Sequence, residues 1–268
     1  MLVVKLGGAA GIDFQPLVAD VASLIHSGEK VVLVHGGSAA ADELSHKLGY
    51  PPQHFFSPSG VKSRYTDKKT LEIMLMACAG QLNKLLVAAL QAQGVNAVGL
   101  TGLDGQLITA KRKKAVRAQK DGRVIVIRDD YSGQIEHINS GLIQLLLQAD
   151  YVPVISSFAL SEEGEALNVD ADRVAAQVAV AIKADALVLL TNVPGLLQNP
   201  ADHSTLIDRI AESALASYED VAQGKMKKKL LAAKEAVAGG ISQVIIADAR
   251  KKLPVSQALA QEGTVITP

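Results

Sequence analysis

Short apolar runs rich in Val, Ile and Leu recur along the chain at 2–4, 30–34, 96–100, 151–155, 186–190, 243–246 and 264–266. Runs of this kind, with no alternating polar face, suit strands covered on both sides. Between them the apolar positions return at helical spacing over 14–26, 67–93, 139–148, 171–183 and 227–238, with stops at Gly28, Gly94 and Gly239-Gly240. The alternation predicts an α/β fold, a three-layer α/β/α sandwich around a mainly parallel central sheet. Residues 107–135 break the rhythm, because the turn pairs Asp121-Gly122 and Ser132-Gly133 separate short strand-like pieces. That stretch reads as a hairpin excursion from the sheet. No repeat, low-complexity segment or flexible linker interrupts the chain, so its two lobes, 1–165 and 166–268, are expected to be tightly joined.

Composition narrows the function classes. Lys plus Arg and Asp plus Glu both number 27, so overall charge gives no reason to expect nucleic acid or an acidic membrane as partner. The single cysteine, Cys78, lies in an apolar helical stretch and reads as a core residue of a protein from a reducing compartment. The start of the chain lacks the pattern of a signal peptide, and no apolar run approaches the roughly 20 residues of a membrane span. The expected location is cytoplasmic.

Two segments carry candidate chemistry. In Val3-Val4-Lys5-Leu6-Gly7-Gly8 a buried strand ends in a lysine followed by paired glycines, which lets backbone N–H groups approach an anion while the lysine supplies charge. Taken alone it fits equally well a strand ending in a tight turn. Val31-Val32-Leu33-Val34-His35-Gly36-Gly37-Ser38 repeats the arrangement one unit later, and two such loops at the carboxyl ends of parallel strands face one crevice. Ser38 also reads as a helix cap, and His35 as a structural strand-end residue rather than a base. No cluster of His, Cys and carboxylates suggests a dedicated metal site.

These motifs, with Asn168-Val169-Asp170-Ala171-Asp172, Leu190-Thr191-Asn192-Val193-Pro194-Gly195-Leu196 and Gly224-Lys225-Met226-Lys227, stand in the order seen in acetylglutamate kinases, and the chain resembles the amino acid kinase family over nearly its whole length. The resemblance implies an N-terminal lobe for the acyl acceptor and dimerisation, and a C-terminal lobe for ATP with its Mg²⁺. It implies that Lys5 and Lys227 converge on the transferring phosphoryl group and that Asp172 holds them. Gly7 and Gly8 are then phosphate-binding, and Gly36, Gly37, Arg64 and Asn168 contact substrate. The helix over 67–93 would form a homodimer interface. Asn192 departs from the acid common at that position in acetylglutamate kinases.

Ser63-Arg64-Tyr65-Thr66-Asp67 looks more like the kinases of carrier-bound aminoadipate or glutamate in lysine, and sometimes arginine, biosynthesis. There the amino group is masked as an amide on a small acidic carrier protein. The basic run Lys111 to Lys114, with Arg117, Lys120 and Arg123, suits docking of such a carrier or simply a solvated hairpin. Acetylglutamate kinase and a non-catalytic amino acid sensor are the competing readings.

Overall fold

The computed structural model describes residues 1–7, 13–58, 62–120, 123–222 and 224–268. In chain order the first half contains β1 (Leu2–Leu6), α1 (Phe14–His26), β2 (Val31–His35), α2 (Ser38–Lys47), β3 (His54–Phe56), β4 (Lys62–Arg64), α3 (Lys68–Met74), α4 (Asn83–Ala92) and β5 (Ala97–Thr101). Then follow β6 (Ile108–Arg112), β7 (Val116–Lys120), β8 (Arg123–Ile127), β9 (Gly133–Ile138), α5 (Ser140–Gln148), β10 (Val152–Ser156), β11 (Phe158–Leu160) and β12 (Ala166–Asn168). The chain closes with α6 (Ala171–Ile182), β13 (Ala186–Thr191), β14 (Arg209–Ala211), α7 (Lys225–Ala238), β15 (Val244–Asp248), α8 (Pro254–Leu259) and β16 (Thr264–Thr267).

Eight strands form the central sheet in the order β14-β16-β15-β13-β1-β2-β10-β5, and every pairing in it is parallel except β15 with β16. All seven apolar runs read from the sequence lie in it. The eighth strand, β14, has a single buried residue in three and occupies an edge, so it carries no long apolar run. Alternation along each strand sorts side chains between two cores. Val3, Val32, Val34 and Leu187 pack with α5, α6 and α7, whereas Val4, Leu33, Val154 and Val188 pack with α1, α4 and α8. This is the expected three-layer sandwich. The excursion at 107–135 is larger than one hairpin: its strands help build two four-stranded sheets, β12-β11-β6-β9 and β4-β3-β7-β8.

The helix expected over 67–93 runs from Lys68 to Ala92, a length that suffices to cross a membrane by size and composition alone. Its middle is not α-helical: Leu75–Leu82 is a π-helix.

Candidate active site

Lys5 is the last but one residue of β1, in phase with Val3, so its side chain enters the layer of α6 and α7. There it meets Asp172, in the first turn of α6, at 2.7 Å. The helix begins there because the Asp170 carboxylate accepts from the backbone N–H groups of Asp172 and Arg173 at 3.0 and 3.3 Å. A second ammonium reaches the same oxygen of Asp172 at 2.8 Å, and it belongs to Lys229, not Lys227. Lys5, Asp172 and Lys229 are all buried.

The expectation for Lys227 is therefore corrected. Helix α7 starts at Lys225, and its buried stripe is Lys229, Leu230, Ala232, Ala233, Ala236 and Val237. Lys227, two positions before Lys229, is turned about 200° away around the helix and is exposed. Lys229 carries a readable signal after all, since it stands three, four and seven residues before buried alanines.

One carboxylate between two ammonium groups leaves a net positive charge in a dry place. Burial favours a neutral Asp172, but Lys5 and Lys229 together hold its carboxyl well below the usual range. For Lys229, burial and then the charge of Lys5 outweigh Asp172 and push the ammonium down to about 8. For Lys5, burial is outweighed by the charge and hydrogen bond of Asp172, and its affinity for the proton rises.

Lys229 also lines a cavity of about 210 Å³ with Thr191, Asn192, Val193, Leu196 and Met226, at the carboxyl end of β13. A mostly apolar pocket ending on an ammonium fits a flat ring with an anionic tail. Lys229 thus joins that pocket to Lys5. A candidate cluster of three or more metal-ligating side chains does not occur among the described residues.

On the N-terminal side of the crevice, Gly7 is buried directly after β1, while Gly8 lies outside the described residues. The Gly36 N–H faces the Leu6 carbonyl at 3.5 Å, a long contact. Gly37 precedes α2 and packs against Cys78: a Cβ on it would lie 2.4 Å from the Cys78 sulfur. Burial pushes the Cys78 thiol up to about 12, which fits a core residue and no nucleophile. Arg64, at the end of β4, is ion-paired with Asp42 at 2.5 Å and donates to the Ser38 carbonyl at 3.3 Å. Asp42 was not anticipated from sequence. The other guanidinium arm, Nη1, is buried without a partner among the described residues. Asn168, at the end of β12, donates to Thr66 Oγ1 at 3.3 Å.

The basic run is partly neutralised. Arg112 makes two hydrogen bonds to Glu165 at 3.0 and 3.1 Å and lies over the Tyr131 ring, and Lys114 faces Glu163 at 3.8 Å. Lys111, Lys113, Arg117 and Arg123 are exposed.

A model of the amino acid kinase family matches residues 1–248. The chain is 51% identical to the LysW-aminoadipate kinase of Deinococcus radiodurans, the match covering 100% of this chain and 91% of that one. Identity to the LysW-aminoadipate kinase of Thermus thermophilus is 48%, over 99% of this chain and 100% of the other. The solved structure of smu.665 from Streptococcus mutans UA159 superposes with a TM-score of 0.78 at 27% identity, covering 99% and 98% of the two chains.

Proposed function

The chain belongs to the amino acid kinase family, and from that premise we propose that it transfers the γ-phosphoryl group of ATP to the side-chain carboxylate of L-2-aminoadipate carried, through its amino group, on a small acidic protein. Glutamate on the same carrier is a second substrate. The observation that carries the reading is the pair of buried lysines on one oxygen of Asp172, one of them lining the apolar cavity.

The chemistry follows from the charges. An acceptor carboxylate oxygen forms a bond to the γ-phosphorus as the bond to the ADP oxygen breaks, and ADP leaves with the electron pair. The acceptor is already an anion, so no general base is needed. What is needed is positive charge fixed where oxygens of both reactants crowd together, and Lys5 and Lys229, both held on one oxygen of Asp172, supply it. Asp172 prevents the two ammonium groups from repelling one another out of place. Mg²⁺ enters as part of the nucleotide substrate; with Asn192 in the pocket and Asp172 held by lysines, the phosphates supply its anionic ligands.

Residues 1–165 then hold the acceptor, with Arg64 taking a carboxylate on its unpartnered arm, Asn168 and the Gly37 N–H touching the reacting end, and Gly7 lying along the phosphates. Residues 166–268 hold ATP. The exposed Lys111, Lys113, Arg117 and Arg123 face the acidic carrier. The enzyme works in the cytoplasm as a homodimer built on the long helix.

Trapping the acyl phosphate with hydroxylamine tests the reading. Product is expected with the aminoadipate–carrier conjugate and ATP. Product with free N-acetylglutamate instead would make the chain an acetylglutamate kinase, and none with either would make it a sensor.

A further inference from the structure

The π-helical turn between α3 and α4 places one side chain, Cys78, against the Gly37 backbone and a second, Asn83, against the His35 ring. Asn83 donates its backbone N–H to the Cys78 carbonyl, five residues back, so the two residues stack. In an α-helix a separation of five would turn them about 140° apart. Cys78 Sγ lies 3.5 Å from the Gly37 carbonyl oxygen. The Asn83 side chain reaches into the sheet, where Gly99 makes room for it: a Cβ on Gly99 would lie 2.0 Å from Asn83 Oδ1.

The hydrogen bonds around Asn83 fix the proton positions on His35. The Asn83 amide nitrogen lies 2.9 Å from the Val154 carbonyl, which can only accept, and its oxygen accepts from Lys84 at 3.1 Å. The remaining amide N–H therefore points at His35 Nε2, 2.9 Å away, and that nitrogen must accept. The ring proton then sits on Nδ1, which donates to the Gly36 carbonyl at 2.7 Å. Both His35 and Asn83 are buried.

A planar trans peptide points its C=O and N–H in opposite directions. Holding the Gly36 carbonyl toward the α4 layer turns the Gly37 N–H toward the other face, where Lys5 stands. We propose that His35 is a positioning residue, locked in its Nδ1–H form by Asn83, which sets the Gly37 N–H for the acceptor and the transferring phosphoryl group. The inference rests on the kinase reading of the crevice, and it assigns His35 no part in proton transfer.

Isosteric substitution separates this role from simple packing. An asparagine at 35 places its amide nitrogen where Nδ1 lies; a glutamine places it where Nε2 lies. His35→Leu is expected to lower kcat for acyl phosphate formation about 30-fold with KM for ATP unchanged, the scale of loss that a displaced contact in the reacting geometry brings. His35→Asn should recover to within about threefold of the native enzyme, and His35→Gln should not. A packing role predicts the reverse order, so a His35→Gln enzyme as active as the native one, or a His35→Asn enzyme no better than His35→Leu, overturns the proposal. Nitrogen-15 NMR of the histidines in the native protein decides the point independently of turnover and of variant folding: a proton on Nδ1 of His35 is expected, and one on Nε2 refutes the lock. A native enzyme that phosphorylates nothing would defeat the kinase reading, while the NMR result would still judge the lock.

Discussion

Lys5 and His35 stand at the same end of adjacent strands yet belong to opposite layers of the sandwich, and each layer meets the demand of burial differently. On the α6–α7 side, three ionised groups are buried together and the balance of charge is left positive. On the α4 side, His35 is kept neutral: burial holds its pKa at about 4, with Lys5 and Lys84 acting the same way against the Gly36 hydrogen bond. The charged layer supplies field and the neutral layer supplies geometry. A neutral ring costs less to bury than an ion and keeps its charge state between pH 5 and 8, which suits a part whose task is to hold a peptide plane.

The sharpest way to break the contrast is to remove the central charge. Asp172→Asn should lower kcat about a thousandfold and cost about 3 kcal/mol of stability, since it strands two buried ammonium groups; turnover and denaturant titration measure both. Lys229→Met should lower kcat by about a hundredfold, whereas Lys227→Ala should stay within about twofold, a pair that also checks which lysine of α7 matters. pH sharpens the comparison next. The Lys229 ammonium, depressed to about 8, carries its charge below that pH and loses it above, so kcat/KM for ATP should fall about tenfold per unit on the alkaline side, and Lys229→Arg should remove that limb. His35 contributes no limb between pH 5 and 8. Smallest of all, Gly99→Ala should push Asn83 off its seat, lowering kcat a few-fold and stability by about 1–3 kcal/mol without moving the pH profile.

The layers differ in how far the sequence reveals them. Strands buried on both faces are written as local apolar runs, so the main sheet was readable, as was the position of Gly36-Gly37 at its carboxyl end. Lys5 and Asp172 stand at a strand end and a helix start, where local rules apply. Lys229 was obscured because Lys225, Lys227, Lys228 and Lys229 are alike as letters, and only the phase of the alanines behind them separates the buried one. The π-turn was hidden for a related reason: 75–82 reads as ordinary helix, and the departure arises from contacts that Cys78 and Asn83 make with distant loops and strands. Asp42 was missed because its partner, Arg64, is twenty-two positions away on another element.

The strand order carries one more consequence. β1 is central in the finished sheet and pairs with β2 on one side and with β13, much later in the chain, on the other. At ribosomal speeds of about 5–20 residues per second, β13 follows β1 by roughly 10–40 s. Through that interval the nascent chain carries one unpaired edge of a strand that is apolar but for Lys5, an edge open to mispairing until β13 arrives.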